Sequence, residues 1–436
     1  MASAKSNKQK NIKKTQKVGL LKAFLGDAQK GDLSLSFFAY VMILLIVGIV
    51  MMSSASYVWA FSEHNDGLYY AVKQLKNAVV GFIFMIIFMK MDYHNFQKLR
   101  LPFLKKFNVA GILYAVGLLF LVLALAIGND EGGAMGAKRW LTLGPINFQP
   151  SEVAKFALII CFADSMERDG DKMNTFKTGI LKYGFLLMVY GGLLIKEPHI
   201  SGFILLASIG AAMILCGGAN GFQYGLFGSI GAAAAYGYIR WQSTVEGSYV
   251  ATRFKAWQHP FEDMLGDTWQ TANSIIAIGS GGLFGLGLGN SRQKYLYLPE
   301  SKNDFVFPIV CEELGFVGAL AIIIVFFLLV IEGFAIAARC KDRFGSLIAV
   351  GITTQIGIQA ALNLAVVSNL IPNTGISLPF FSYGGTALIM QLAEMGIMLN
   401  ISQQRDYSSH KSANRKQKKK RHRNTVNTEP TELKNA

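Results

Sequence analysis

A cluster of ionisable residues directly precedes one of the apolar segments of this sequence. Residues 291–318 read SRQKYLYLPESKNDFVFPIVCEELGFVG, so Glu300 and Asp304 come just before an apolar run that itself contains Glu312 and Glu313. Charged side chains within a membrane are costly, and those that occur there usually have a function. A carboxylate at a membrane boundary is suited to acid–base chemistry on a substrate that carries a lipid tail.

Each of these acids also has a structural interpretation. The sequence of residues 301–304, Ser-Lys-Asn-Asp, fits a capping box in which Asp304 would close the first turn of the next helix. Glu312 and Glu313 are better explained as counter-ions of Lys155 or of another buried base than as catalytic groups. The residues alone leave the role of Asp304 open.

A second group of candidate residues lies in GAKRW at 136–140 and QPSEVAK at 149–155. Pro150 suits the first turn of a helix that Gln149 or Ser151 could cap. A basic pair beside a helix N-terminus would form a cradle for a phosphate or pyrophosphate. Interfacial side chains with an ion pair between Glu152 and Lys155 explain the pattern equally well. The candidate anion-binding residues are Lys138, Arg139, Gln149, Ser151, Glu152 and Lys155.

Composition identifies the class of protein that must position these residues. Of the 436 residues, 52% are hydrophobic and only 16% are charged, which indicates a protein with many membrane spans. We therefore predict an all-α integral membrane protein with about ten transmembrane helices of about 20 residues each. Apolar runs lie near residues 34–55, 75–91, 107–127, 150–166, 179–195, 200–217, 220–239, 306–336, 345–370 and 385–402.

The distribution of charge predicts the orientation of these helices. Basic residues are concentrated in the gaps after even-numbered spans and in the tails, 1–33 and 403–436, so we expect both tails in the cytoplasm. Residues 34–402 then form the membrane domain, with residues 240–305 as a large extracytoplasmic loop between helices 7 and 8. Anionic membrane lipid is favoured over nucleic acid as the partner of the tails. The four cysteines show no metal-ligand spacing, so no metal site is predicted.

Two further features attract weaker interpretations. The segment GSGGLFGLGLGN at 279–290 follows no predicted strand and lacks a GK[ST] ending, which argues against a nucleotide-binding loop. Its glycines instead favour close backbone approach in a re-entrant segment. His199 is interpreted as a satisfied polar residue at the end of a span.

Taken together, the motifs resemble the SEDS family (shape, elongation, division and sporulation), and its division branch more than its elongation branch. Three stretches carry the resemblance: GAKRWLTLGPINFQPSEVAK, GLGLGNSRQKYLYLPESKNDFVFPIVCEELGFVG and NTGISLPFFSYGGTALI. The resemblance implies the ten-helix SEDS fold and a peptidoglycan glycosyltransferase that polymerises lipid II during septal cell-wall synthesis. It also implies a class B penicillin-binding protein and other division proteins as partners, and a place in the bacterial plasma membrane at the division septum.

The resemblance also assigns roles to residues. The motif LPE-x-x-x-D-F carries the essential acid to Asp304, which we expect to act as the general base in an inverting transfer. Arg139, with Lys138 or Lys155, is the expected clamp for the departing pyrophosphate, with a divalent cation, Mg or Mn, as an optional bridge. The same motifs add Glu300, Ser382 and Tyr383 to the expected substrate-binding residues.

Departures from the family and alternatives to its activity remain. His199 stands where the family often has an acid, as in EPDLGT, so the role of that acid is not carried over. Asn303 replaces a frequent Thr, which we expect to be neutral. A lipid II flippase and a scaffold for division proteins are the alternative functions. Against them, the ionisable motifs cluster at one face of the membrane instead of running through its centre.

Overall fold

The computed structural model describes residues 33–98, 108–128, 140–143, 146–197, 199–245 and 249–403. The two basic tails and the pair Lys138 and Arg139 lie outside the described residues. Apart from one short hairpin, the regular structure within those ranges is helical. Strands β1 and β2 pair antiparallel, with Leu141 opposite Phe148.

The elements follow one another in this order: α1 Leu35–His64, α2 Tyr69–Lys90, α3 Asn95–Lys98, α4 Val109–Ile127, β1 Leu141–Leu143, β2 Ile146–Phe148, α5 Pro150–Asp169, a 3-10 turn Gly170–Asn174, a π-helical segment Phe176–Lys182 that continues into α6 Tyr183–Lys196, α7 Ile200–Cys216, α8 Gly221–Thr244, α9 Tyr249–Gln258, α10 Trp269–Ser280, α11 Val306–Arg339, α12 Arg343–Val367, and α13 at 385–403.

The ten predicted spans are each occupied by a helix in the described part of the chain. The run predicted at 75–91 is longer than expected, because α2 begins at Tyr69. Gly217 to Asn220 form a tight turn between α7 and α8, with Gly218 at φ +87° and the Asn220 side chain capping α8. The fold class predicted from apolar runs is therefore confirmed.

Six of the described helices are both long and apolar enough to cross a membrane, namely α1, α2, α4, the segment Phe176–Lys196, α11 and α12. Helix α7 is apolar but shorter. Helix α5 contains charged residues, and most of its side chains are buried in the bundle. Its neighbours α4, α7 and α12 separate those charged side chains from lipid, which lowers the cost of placing charge within the membrane.

Helices that enter the bundle from the same side place their N-termini together. Successive spans alternate in direction, so α2, α5, α7, α11 and α13 all begin at one end of the bundle. Each unpaired first turn leaves backbone N–H groups exposed and carries the positive end of the helix dipole. This end of the bundle is therefore electrostatically suited to an anion before any side chain is considered.

The opposite end of the bundle is tied by a histidine between two carboxylates. His94 lies 2.8 Å from Asp92 and 3.6 Å from Asp342, which joins the turn after α2 to the turn between α11 and α12. Burial lowers the pKa of His94, but hydrogen bonds to Asp342 and Asp92 outweigh it and raise the pKa to about 9. Burial likewise raises the pKa of Asp92, and its bonds with His94 bring it down to about 2.

The predicted loop 240–305 is more structured than expected. It contains α9 and α10, and its glycine-rich segment packs against a kink in α11 at Gly315, where φ is +69°. Leu286 N–H donates to the carbonyl of Glu312 at 2.9 Å, and Gly287 N–H donates to that of Glu313 at 3.0 Å. The glycines thus permit the close backbone approach that the sequence predicts.

Candidate active site

A cavity of about 1020 Å³ opens at the end of the bundle where the five N-termini meet. Its lining takes residues from the first turns of α2, α5, α7 and α13 and from the segment before α11. The predicted candidates that line it are Gln149, Ser151, Glu152, Lys155, Glu300, Asp304, Ser382 and Tyr383. The structure therefore gathers in one cavity all the predicted site residues that it describes.

Asp304 is half-buried in this cavity, and a hydrogen bond from α12 holds its backbone. The amide of Asn363, on α12, donates to the Asp304 carbonyl at 2.8 Å and to the Ile376 carbonyl at 2.7 Å. Asn363 is fully buried. A Cβ added to Gly375 would lie 3.3 Å from Oδ2 of Asp304, so the glycine at φ +70° leaves room beside the carboxylate.

The capping-box interpretation of Asp304 is wrong. Helix α11 begins at Val306 with Phe305 in the N-cap position, and no side chain caps it. Residues 300–305 instead form turns, in which Glu300 has a φ of +54° and accepts a hydrogen bond from the Asn303 side chain at 2.6 Å. The carboxylate of Asp304 is thereby placed in the cavity and not at the helix end.

The loop 371–384 holds this turn in place. Ser382 Oγ donates to the Asn303 carbonyl at 2.7 Å, and the Tyr383 N–H donates to the Lys302 carbonyl at 2.8 Å. Ser382 Oγ also accepts from the Leu378 N–H at 2.7 Å. These contacts make Ser382 and Tyr383 positioning residues for the turn that carries Asp304, in addition to being part of the cavity wall.

Lys155 and Glu152 form a buried ion pair on the wall supplied by α5. Their Nζ and Oε1 atoms are 2.8 Å apart, and both side chains are about nine-tenths or more buried. Gln149 occupies the N-cap position of α5, as predicted, but its side chain makes no capping bond. The predicted ion pair is confirmed, and because it lines the cavity it also places an ammonium group beside any bound anion.

Glu312 and Glu313 lie outside the cavity lining and stabilise the glycine-rich segment. Glu313 pairs with Lys294 at 3.0 Å and accepts from Ser54 Oγ at 2.7 Å. Glu312 accepts from Ser291 Oγ at 2.5 Å. The predicted counter-ion role is confirmed for Glu313, whose base is Lys294, whereas Glu312 accepts from the Ser291 hydroxyl and from the backbone N–H groups of Arg292 and Gln293.

Several residues that line or support the cavity were not predicted from the sequence. Gln355, Gln359 and Asn363 recur every four residues on α12, so they share one face of that helix. A polar stripe of this kind within an apolar span could have indicated that this face of α12 lies against a polar site. Arg253 lines the cavity from α9 and donates to Gln270 Oε1 at 3.3 Å. Its place in the site could not be predicted, because no local sequence pattern shows a contact between distant segments.

Metal-ligand geometry is not preformed in the part of the chain that is described. No group of three His, Cys, Asp or Glu side chains there is placed to hold a metal ion. A divalent cation that bridges substrate oxygens and one carboxylate stays a prediction.

Comparison with known proteins adds to this geometry. Residues 34–407 match the FtsW/RodA/SpoVE family, described as cell cycle proteins. The chain is 38% identical to a probable peptidoglycan glycosyltransferase FtsW of Trichlorobacter lovleyi, over 83% of this chain and 92% of that one. It is 35% identical to stage V sporulation protein E of Bacillus subtilis, over 84% and 96%.

Two solved structures share the fold. A chain from a peptidoglycan synthase complex superposes with a TM-score of 0.67 at 24% identity, covering 86% of this chain and 98% of its own. The rod shape determining protein RodA of Thermus thermophilus gives a TM-score of 0.58 at 24% identity, covering 86% and 97%.

Proposed function

The chain belongs to the FtsW/RodA/SpoVE family of cell cycle proteins, and we propose that Asp304 is its general base in the polymerisation of lipid II. It is a multi-pass membrane protein and a peptidoglycan glycosyltransferase, the activity that its relatives from Trichlorobacter and Geobacter are named for. The finer assignments below rest on the geometry of the cavity.

The observation that carries the proposal is the placement of Asp304. A half-buried carboxylate lies in a cavity surrounded by helix N-termini, and a fully buried amide holds its backbone. The substrate of such a reaction carries a pyrophosphate and a lipid tail, and the cavity combines an anion-attracting wall with an apolar one. Leu194, Leu205 and Ile389 supply apolar lining.

The reaction joins a growing chain on a polyprenyl pyrophosphate to the 4-hydroxyl of lipid II. Asp304 accepts the hydroxyl proton as the oxygen attacks the anomeric carbon of the donor, and the bond to the pyrophosphate breaks. Proton transfer to a positioned base contributes about 10²–10⁴-fold to the rate. A single base with attack opposite to the leaving group implies inversion, as in inverting glycosidases.

The departing pyrophosphate needs positive charge close by. Lys155 lines the cavity and is held by Glu152, so its ammonium can stabilise the leaving group electrostatically. Arg139 and Lys138 precede α5 in sequence, and their role in the clamp remains a proposal based on the family motif.

We further propose that the chain works with a class B penicillin-binding protein at the division septum of a bacterium, with both tails in the cytoplasm. The shared fold with a chain from a peptidoglycan synthase complex supports a partner of this kind. The excess of basic residues in the tails supports their cytoplasmic location.

The activity is tested with purified protein, its cognate class B partner and labelled lipid II. Glycan polymer on a gel is the expected product. No polymer, together with scrambling of labelled lipid II across liposome membranes that contain the protein, would support the flippase instead.

A further inference from the structure

The first turn of α7 presents a group of hydrogen-bond donors to the cavity. His199, Ser201 and Gly202 all line it, at the N-terminus of a helix of 17 residues. His199 is 8% exposed and occupies the N-cap position, and its side chain makes no capping bond. The backbone N–H groups of a first helical turn have no partner within the helix, and two residues of this turn, Ser201 and Gly202, line the cavity.

Ser201 supplies a second and independent indication of a ligand. Its side chain is 2% exposed, and its Oγ has no hydrogen-bond partner among the described residues. A buried hydroxyl without a partner costs free energy unless a ligand or water completes its bonding. Because Ser201 lines the cavity, such a ligand would lie in it.

The backbone at Gly202 holds the His199 ring over this turn. A Cβ at position 202 would come within 2.8 Å of the imidazole, so only glycine lets the ring lie flat against the helix start. The ring can donate an N–H in either of its protonation states. The neighbouring carboxylate, Glu197, is buried and is not part of the cavity lining.

The α7 turn faces the same space as the N-terminus of α5. The two helices pack against each other, and Ser151 and Lys155 of α5 line the cavity beside it. Ser151 Oγ is also buried and has no hydrogen-bond partner in the described chain. Two helix N-termini, two serine hydroxyls and an imidazole, with the Lys155 ammonium that Glu152 partly neutralises, are donors that suit an oxyanion with several oxygens.

We propose that His199 and Ser201, with the first turn of α7, form a phosphate-binding subsite for the pyrophosphate of the lipid-linked substrate. The assignment rests on the proposed function for the identity of the anion, and on this chain's own residues for its place. A carboxylate at position 199 would repel the same group.

Binding measurements test the subsite without relying on turnover. The probes are a polyprenyl pyrophosphate and the polyprenol of equal chain length, titrated into the purified full chain in nanodiscs. The variants are His199→Asp, His199→Asn and Ser201→Ala. The matched controls are His259→Asp, at an exposed residue outside the lining, and Ser208→Ala, lower on α7, where the hydroxyl bonds the Ile204 carbonyl.

We expect His199→Asp to weaken binding of the pyrophosphate about ten-fold or more, since a bond to a charged oxygen is replaced by repulsion. Ser201→Ala should weaken it several-fold, and His199→Asn, which keeps an N–H donor, should retain most of the affinity. Polyprenol binding and both controls should be unchanged.

Two results would overturn the proposal. One is unchanged pyrophosphate affinity in both His199→Asp and Ser201→Ala. The other is an equal loss for pyrophosphate and polyprenol, which would mean that these residues only shape the fold. A wild-type protein that binds the pyrophosphate selectively but makes no polymer would refute the proposed function and leave the subsite intact.

Discussion

Removing the amide of Asn363 should separate catalytic positioning from overall stability. In Asn363→Leu, two buried carbonyls, those of Asp304 and Ile376, lose the donor that lies 2.8 and 2.7 Å away. An unsatisfied buried acceptor costs about 1–3 kcal/mol, so the two together cost about 2–6 kcal/mol. The turn that carries Asp304 would shift to relieve this cost.

The consequence for catalysis should exceed the consequence for folding. A shift of about 1 Å in a reacting group can lower a rate about 100-fold. We expect the rate of lipid II polymerisation by Asn363→Leu to fall by about that factor, measured by gel with the purified protein and its cognate partner. A loss confined to the melting temperature would refute the positioning argument.

Asn400 provides a matched control at the other end of the bundle. It is also fully buried, and its amide donates to the Met89 carbonyl at 2.7 Å. Asn400→Leu should therefore lower the melting temperature while leaving the polymerisation rate of the folded protein near that of the wild type. Equal losses of activity in the two variants would show that a general loosening of the bundle is responsible.

Three further predictions concern other parts of the chain. Gly375→Ala should lower the polymerisation rate several-fold, because its Cβ would lie 3.3 Å from the Asp304 carboxylate at a strained φ of +70°. Lys294→Met should destabilise the protein by about 3–5 kcal/mol, because Glu313 would be left buried and unpaired. A thermal melt should show partial recovery when Glu313→Gln is added. His94→Gln should lower the melting temperature at neutral pH. The pKa of His94 is raised to about 9 from an ordinary value of 6.5, so its stabilisation is complete below about 6.5 and is lost as the pH rises through about 9.

Each of these has a contradicting result. A Gly375→Ala protein with the wild-type rate would mean that the space beside Asp304 is unimportant. No stability loss in Lys294→Met would show that Glu313 finds another partner. A difference between wild type and His94→Gln that grows above pH 9 would reverse the sign of the predicted linkage.

The membrane spans could be predicted because each is a local property of the sequence. Runs of apolar residues fixed the positions of ten helices, and Pro150 marked the start of α5. Asp304, Lys155 and Ser382 were assigned to one site only because the family motifs contain them. No spacing rule connects residues on three separate helices and loops.

The remaining features depend on contacts between distant segments. The capping box failed because a hydrogen bond from Tyr383 to the Lys302 carbonyl holds the turn before α11, and a local pattern cannot show it. Lys294 was missed as the partner of Glu313 for the same reason: a kink at Gly315 brings the loop to the acid. His199 was interpreted as a satisfied polar residue, since the sequence does not show that it lines the same cavity as Lys155 and Asp304.

The most direct test of the account compares wild type with Asp304→Asn in the polymerisation of labelled lipid II. Asparagine keeps the size of the side chain and removes only its ability to accept the proton. Equal melting temperatures for the two proteins would establish that both are folded. The account predicts polymer from the wild type and a rate at least about 10²-fold lower for Asp304→Asn. Substantial polymer from the folded variant would contradict the role of Asp304 as general base.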